Sequence, residues 1–110
     1  MIDTHCHLDA AAFDADRGAV LARARAAGVT EVVVPAVGPD GWAALLALVR
    51  ATPGLHAALG IHPQLLPGLD PRGDDARLAA LDAALGAALA APGAGPVSYT
   101  HLTLPTILRV

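Results

Sequence analysis

Hydrophobic and polar positions along the chain follow two alternating rhythms. Short continuous apolar runs, bounded by Pro or Gly, separate longer stretches in which apolar residues recur every three or four positions. Met1–Thr4 is a short apolar entry and a candidate strand. From about Asp16 to Ala27 the period is helical, with Val20, Leu21 and Ala24 on one side and Gly28 where a left-handed C-terminal cap belongs. Thr30–Val34 is continuous and largely β-branched, the pattern of a strand buried on both faces, and Pro35 ends it. A second helix follows, with Asp40 as its candidate cap and Trp42, Leu45, Leu46 and Val49 at helical spacing. Pro53-Gly54 punctuates its end, and Leu55–Ile61 predicts a third strand. A third helix runs from about Asp74 to Ala91, with Leu78, Leu81, Leu85 and Leu89 in line and Asp74 and Asp75 at its positive end. The strand candidates start about 25–30 residues apart, the length of a βα unit. The pattern predicts an α/β fold of three successive βα units around a parallel sheet.

Length changes that picture. The chain has 110 residues, whereas a complete (β/α) barrel takes eight units and about 250 residues. A small doubly wound sheet is the competing architecture, but it calls for a Gly-rich phosphate turn after the first strand. His5-Cys6-His7-Leu8-Asp9 stands there instead, which favours the first three units of an incomplete TIM barrel. Composition narrows the partners. Net charge is −3 and every basic residue is Arg, with no basic cluster, so capture of a polyanion by a positive surface alone is excluded. A lone cysteine, Cys6, excludes an internal disulfide and fits a reducing compartment. No long apolar run and no signal-peptide pattern is present, so the expectation is a cytoplasmic protein with no membrane partner and no protein partner inferred.

The chemistry sits near the start. In a strand, positions two apart project to the same side, so His5 and His7 converge while Cys6 turns away into packing. Two neutral imidazoles a few ångströms apart share a divalent cation well. The alternative is a pair of loop histidines with no ligand. Their place at the C-terminal end of a first barrel strand, where catalytic groups collect, favours a metal that lowers the pKa of a bound water.

Met1–Asp9 (MIDTHCHLD), Phe13-Asp14, Arg17, Val20-Leu21 and Ala26–Val29 (AAGV), with VVVPAV, Trp42 and Ala58–Pro63 (ALGIHP) in the same order, resemble the TatD family of metal-dependent hydrolases. The resemblance covers about Met1 to Ala91. It implies a TIM barrel of the amidohydrolase superfamily, two divalent metal ions, and DNA phosphodiesters as substrate. Carried over by position, His5 and His7 match metal ligands. His62 matches a histidine near the site that contacts a substrate phosphate; the other reading is a loop histidine held by local bonds. Asp9 is expected to order the loop, with metal ligation left open, and His56 is expected to be a packed histidine. No catalytic residue is assigned, because the family's glutamate-bearing GEIGLD-like strand and its later ligands have no counterpart here. Two further readings stand beside this one. The parent enzyme belongs to another amidohydrolase branch acting on amides or lactones, or the chain is a non-catalytic truncated product.

Residues 97–110, VSYTHLTLPTILRV, break with what precedes them. They lack Ala, Gly, Asp and Glu and hold the only Ser and the only Tyr of the chain. Val97–Thr106 back-translates to GTC TCT TAT ACA CAT CTG ACG CTG CCG ACG, similar to a transposon-end sequencing adapter. The expectation is an N-terminal barrel part over 1–96 and an adapter-derived tail over 97–110, with His101 no ligand. A genuine β-strand is the alternative, since Thr, Tyr, Leu and Ile suit one.

Overall fold

The structure, a computed structural model, describes residues 1–90 and 97–99. Its elements are β1 (Ile2–Asp3), α1 (Arg17–Ala26), β2 (Glu31–Pro35), α2 (Trp42–Ala51), β3 (Leu55–Leu59), α3 (Asp74–Ala90) and β4 (Val97–Tyr99). All strand pairings are parallel, and the sheet order β1-β2-β3-β4 follows the chain. A doubly wound sheet reverses its order at a switch point, whereas strands laid side by side in one direction form the arc of a barrel. The described residues build such an α/β arc.

The register Val32↔Leu55, Val34↔Ala57 places alternate residues of β2 and β3 on one face. Val32, Val34, Leu55, Ala57 and Leu59 are buried there against Leu21 of α1, Trp42 and Leu45 of α2 and Leu81 of α3. Val34, Leu45 and Leu59 have no exposed surface at all, each removing about 1.5–3 kcal/mol of apolar transfer free energy from water. The opposite face carries Val33 and His56, both half-buried. Burial of β2 is therefore complete on the helix side and partial on the other, a correction to the two-faced burial that its Val run suggests.

α1 ends as its sequence predicts. Gly28 has φ +99°, its N–H bonds the Arg25 carbonyl, and the Val29 N–H reaches back to Ala24, the paired bonds of a Schellman cap. Two expectations fail locally. Asp40 does not cap α2: it lies in the 3-10 turn Pro39–Gly41, and Gly41 occupies the N-cap with no side-chain bond. Leu89 is 62% exposed, while Ala88 is buried with Leu81. Steps of four residues advance roughly 40° around a helix of 3.6 residues per turn, so Leu81, Leu85 and Leu89 drift off the core stripe that a seven-residue step preserves.

β4 lies in the segment whose composition sets it apart, paired by backbone to Ala57–Leu59. Such pairing needs only an extended segment at an open strand edge, so it reports on the edge of β3 and not on the segment's origin. His101 and the rest of that tail lie outside the described residues.

Candidate metal and substrate site

β1 is short, and the chain leaves it before His5. The segment nonetheless stays alongside β2, because the Cys6 N–H donates to Val33 O at 3.2 Å. The Asp3 carboxylate accepts the His5 backbone N–H at 3.1 Å, steadying the first histidine from behind. The two imidazoles meet as expected: the His5 and His7 ring centroids are 5.1 Å apart with planes at 89°. Cys6 is half-buried against the core, in keeping with a packing role. Burial, then the carboxylates of Asp3 and Asp9, push its thiol pKa up.

Hydrogen bonds decide which nitrogen of each histidine is available. His7 Nδ1 lies 2.9 Å from Pro35 O. A carbonyl only accepts, so Nδ1 carries the proton and Nε2 keeps its lone pair, the arrangement of a metal-ligating histidine oriented by a backbone carbonyl. His62 is the opposite case. Its Nδ1 accepts the Gln64 N–H at 3.2 Å, so the neutral ring carries its proton on Nε2 and presents a donor. The His62 ring lies 6.2 Å from that of His7.

β2 and β3 hold His62 in place through bonds beyond their formal ends. Ala36 N–H donates to Ala58 O at 2.8 Å, and His62 N–H donates to Val37 O at 2.7 Å. The indole Nε1–H of Trp42, at the start of α2, donates to Gly60 O at 3.0 Å in the interior. Sequence periodicity marks Trp42 as a core residue, but not as the tie that fixes the backbone before His62. His56 sits apart on β3, paired through Nε2 with Glu31, and its buried Nδ1 finds no partner among the described residues.

A cavity of about 550 Å³ has Asp9, two residues past His7, and Leu65, three past His62, in its wall with Gly38, Asp40 and Arg77. Asp9 lies in that wall, and its backbone carbonyl accepts from Arg17 Nη2 at 3.4 Å. Among the described residues no group of three or more His, Cys, Asp or Glu side chains forms a metal site. The residues present fit a divalent ion in part: His5 and His7 set two imidazole donors side by side, ring centroids 5.1 Å apart, fewer than the ligands a complete shell needs. No helix among the described residues is long and apolar enough to cross a membrane.

Comparison with known proteins bears on the family and fold of the chain. A family model described as TatD related DNase matches residues 2–90. The uncharacterized metal-dependent hydrolase YjjV of Escherichia coli K12 is 48% identical over 65 residues, which is 59% of this chain and 25% of YjjV. The candidate deoxyribonuclease tatdn3 of Danio rerio is 37% identical over 70 residues, 63% of this chain and 26% of its own. The crystal structure of the YJJV TatD homolog from Escherichia coli K12 superimposes with a TM-score of 0.69 and 41% identity, covering 79% of this chain and 32% of that one. The chain therefore spans about a quarter of the length of the curated relatives it matches.

Proposed function

Because the chain belongs to the TatD-related DNase family, we propose that it forms the metal-binding N-terminal part of a divalent-metal-dependent hydrolase that cleaves DNA phosphodiesters. The observation that carries this reading is the pair His5 and His7, 5.1 Å apart, with His7 Nε2 left bare by the bond from Nδ1 to Pro35. A divalent ion at that point lowers the pKa of water and neutralises phosphate charge. The chain's own residues do the rest. Pro35 O sets the tautomer and ring plane of His7, and Asp3 holds the backbone of His5. His62 offers Nε2–H as a donor to a phosphate oxygen, a role for which its bond from Gln64 prepares it and which a metal-ligating tautomer would not allow. With a net charge of −3, these 110 residues offer no general positive field, so in this reading their contribution to holding DNA is local, through the site.

Among the described residues two candidate ligands stand together and no group of three or more metal-binding side chains forms, so the 110-residue chain by itself is inactive in our reading. We further read residues 97–110 as an adapter-derived tail. The experiment is substrate competition on the chelator-stripped full-length protein encoded by the gene. Added divalent metal is expected to restore cleavage of DNA and leave amides and lactones untouched. Metal-restored turnover of a lactone or amide with DNA intact would assign the protein to another amidohydrolase branch.

A further inference from the structure

We propose that Arg17 is a positioning residue for the His5/His7 pair, an inference that rests on the metal reading of those histidines. Past His7 the chain makes a tight turn, with Leu8 N–H bonded to Cys6 O at 2.9 Å and Ala10 N–H to His7 O at 3.0 Å. Three successive carbonyls of that turn converge on one guanidinium. Arg17 Nε donates to Leu8 O at 2.7 Å, and Nη2 reaches Ala10 O at 3.1 Å and Asp9 O at 3.4 Å. Nη2 also meets Asp14 Oδ1 at 2.8 Å, which holds the guanidinium from the far side.

The placement of Arg17 runs against local preference. It is the first residue of α1, where the helix dipole disfavours a cation and an acidic residue is the usual choice. Its guanidinium bonds the preceding turn and Asp14, all outside α1. A residue that breaks a local rule in this way marks a role set by tertiary structure. Besides its backbone bonds, which continue with Phe13 N–H to Ala10 O at 2.9 Å and Asp14 N–H to Ala11 O at 3.0 Å, and the buried Leu8, the turn has few side-chain holds, since Ala10, Ala11 and Ala12 carry only methyl groups. Arginine holds its N–H donors in one rigid plane along a row of carbonyls, a fixed geometry that the three rotatable donors of a lysine ammonium do not impose. His7 is then fixed twice, at its ring by Pro35 O and at its backbone by the clamped peptide that follows. Loss of the second restraint lets the turn rotate and spreads the two imidazoles that a shared ion requires together.

The test is visible-absorption titration of the full-length protein with Co²⁺, with near-UV circular dichroism of each apo variant as the measure of folding. Arg17→Ala is expected to weaken Co²⁺ binding about tenfold, the lower range for loss of an outer support of a metal ligand. Ethylguanidinium is expected to restore it. Arg17→Lys keeps the charge but lacks the planar fork, and is expected to remain weak. Wild-type Co²⁺ affinity in folded Arg17→Ala overturns the proposal, as does a loss that merely tracks the unfolded fraction. If Arg17→Ala does not fold, Arg17→Gln replaces it, with intermediate affinity expected and wild-type affinity overturning the idea. His7→Ala runs in parallel: unchanged binding there defeats the metal reading and this proposal together, whereas loss there beside normal Arg17 variants defeats this proposal alone.

Discussion

Replacing Trp42 by Phe tests the tie between the fold and the loop that carries His62. Trp42 is 6% exposed, and its Nε1–H is the hydrogen-bond donor to Gly60 O. Phe keeps a ring on the same core face but removes the donor and the second ring. Leaving a buried carbonyl unpaired costs about 1–3 kcal/mol. The missing ring removes roughly three carbon-sized groups from the core, about 2 kcal/mol at ~0.8 kcal/mol each. The expected loss is therefore about 3–5 kcal/mol, a large share of the ~5–15 kcal/mol that a folded domain has in hand. Urea unfolding of the full-length protein, monitored by circular dichroism, measures it. Leu45→Ala, at a position with no exposed surface and no polar role, is the control for core loss alone, at about 2–5 kcal/mol. The discriminating readout is the His62 ring: its NMR resonances should shift in Trp42→Phe and stay in place in Leu45→Ala. A Trp42→Phe loss below about 1 kcal/mol with an unmoved His62 would refute the reasoning.

Other predictions follow from single geometries. Gly54 has φ +83°, and a Cβ there would come within 2.7 Å of Thr30 O, whereas Gly28 has φ +99° and open space around it. Gly54→Ala should therefore lower the melting temperature clearly more than Gly28→Ala, whose cost is the left-handed backbone alone at about 1–2 kcal/mol; equal effects in thermal unfolding would contradict the steric argument. For residues 97–110, amplification of the locus from untreated genomic DNA should give a different continuation after Pro96, and recovery of VSYTHLTLPT would sink the adapter reading.

How far the sequence alone carries depends on the kind of signal. Gly28 is readable because a left-handed cap favours one residue type, and Val32 and Val34 because a continuous β-branched run marks a buried strand, although such a run does not say which of its faces is covered. The His5 and His7 pair is readable for a related reason, since spacing alone brings the rings together. By contrast, Trp42 and, apart from its ion pair with Asp14, Arg17 are partnered by backbone carbonyls, which every residue has and no pattern marks. The tautomers of His7 and His62 depend on Pro35 O and the Gln64 N–H, contacts set by loop geometry. Asp40 looked like a cap because residue type was matched without the intervening 3-10 turn. Leu89 looked like core because four-residue spacing was followed further than the helix pitch allows.

The central claim is that His5 and His7 together hold a divalent metal. Isothermal titration of the chelator-stripped full-length protein with Mn²⁺ tests it most directly, comparing wild type with the His5→Ala/His7→Ala double variant. Circular dichroism must first show both to be folded. Saturable binding is expected in the wild type and its loss in the double variant, because removing two ligands leaves an incomplete coordination shell. Equal Mn²⁺ affinity in the two proteins would contradict it.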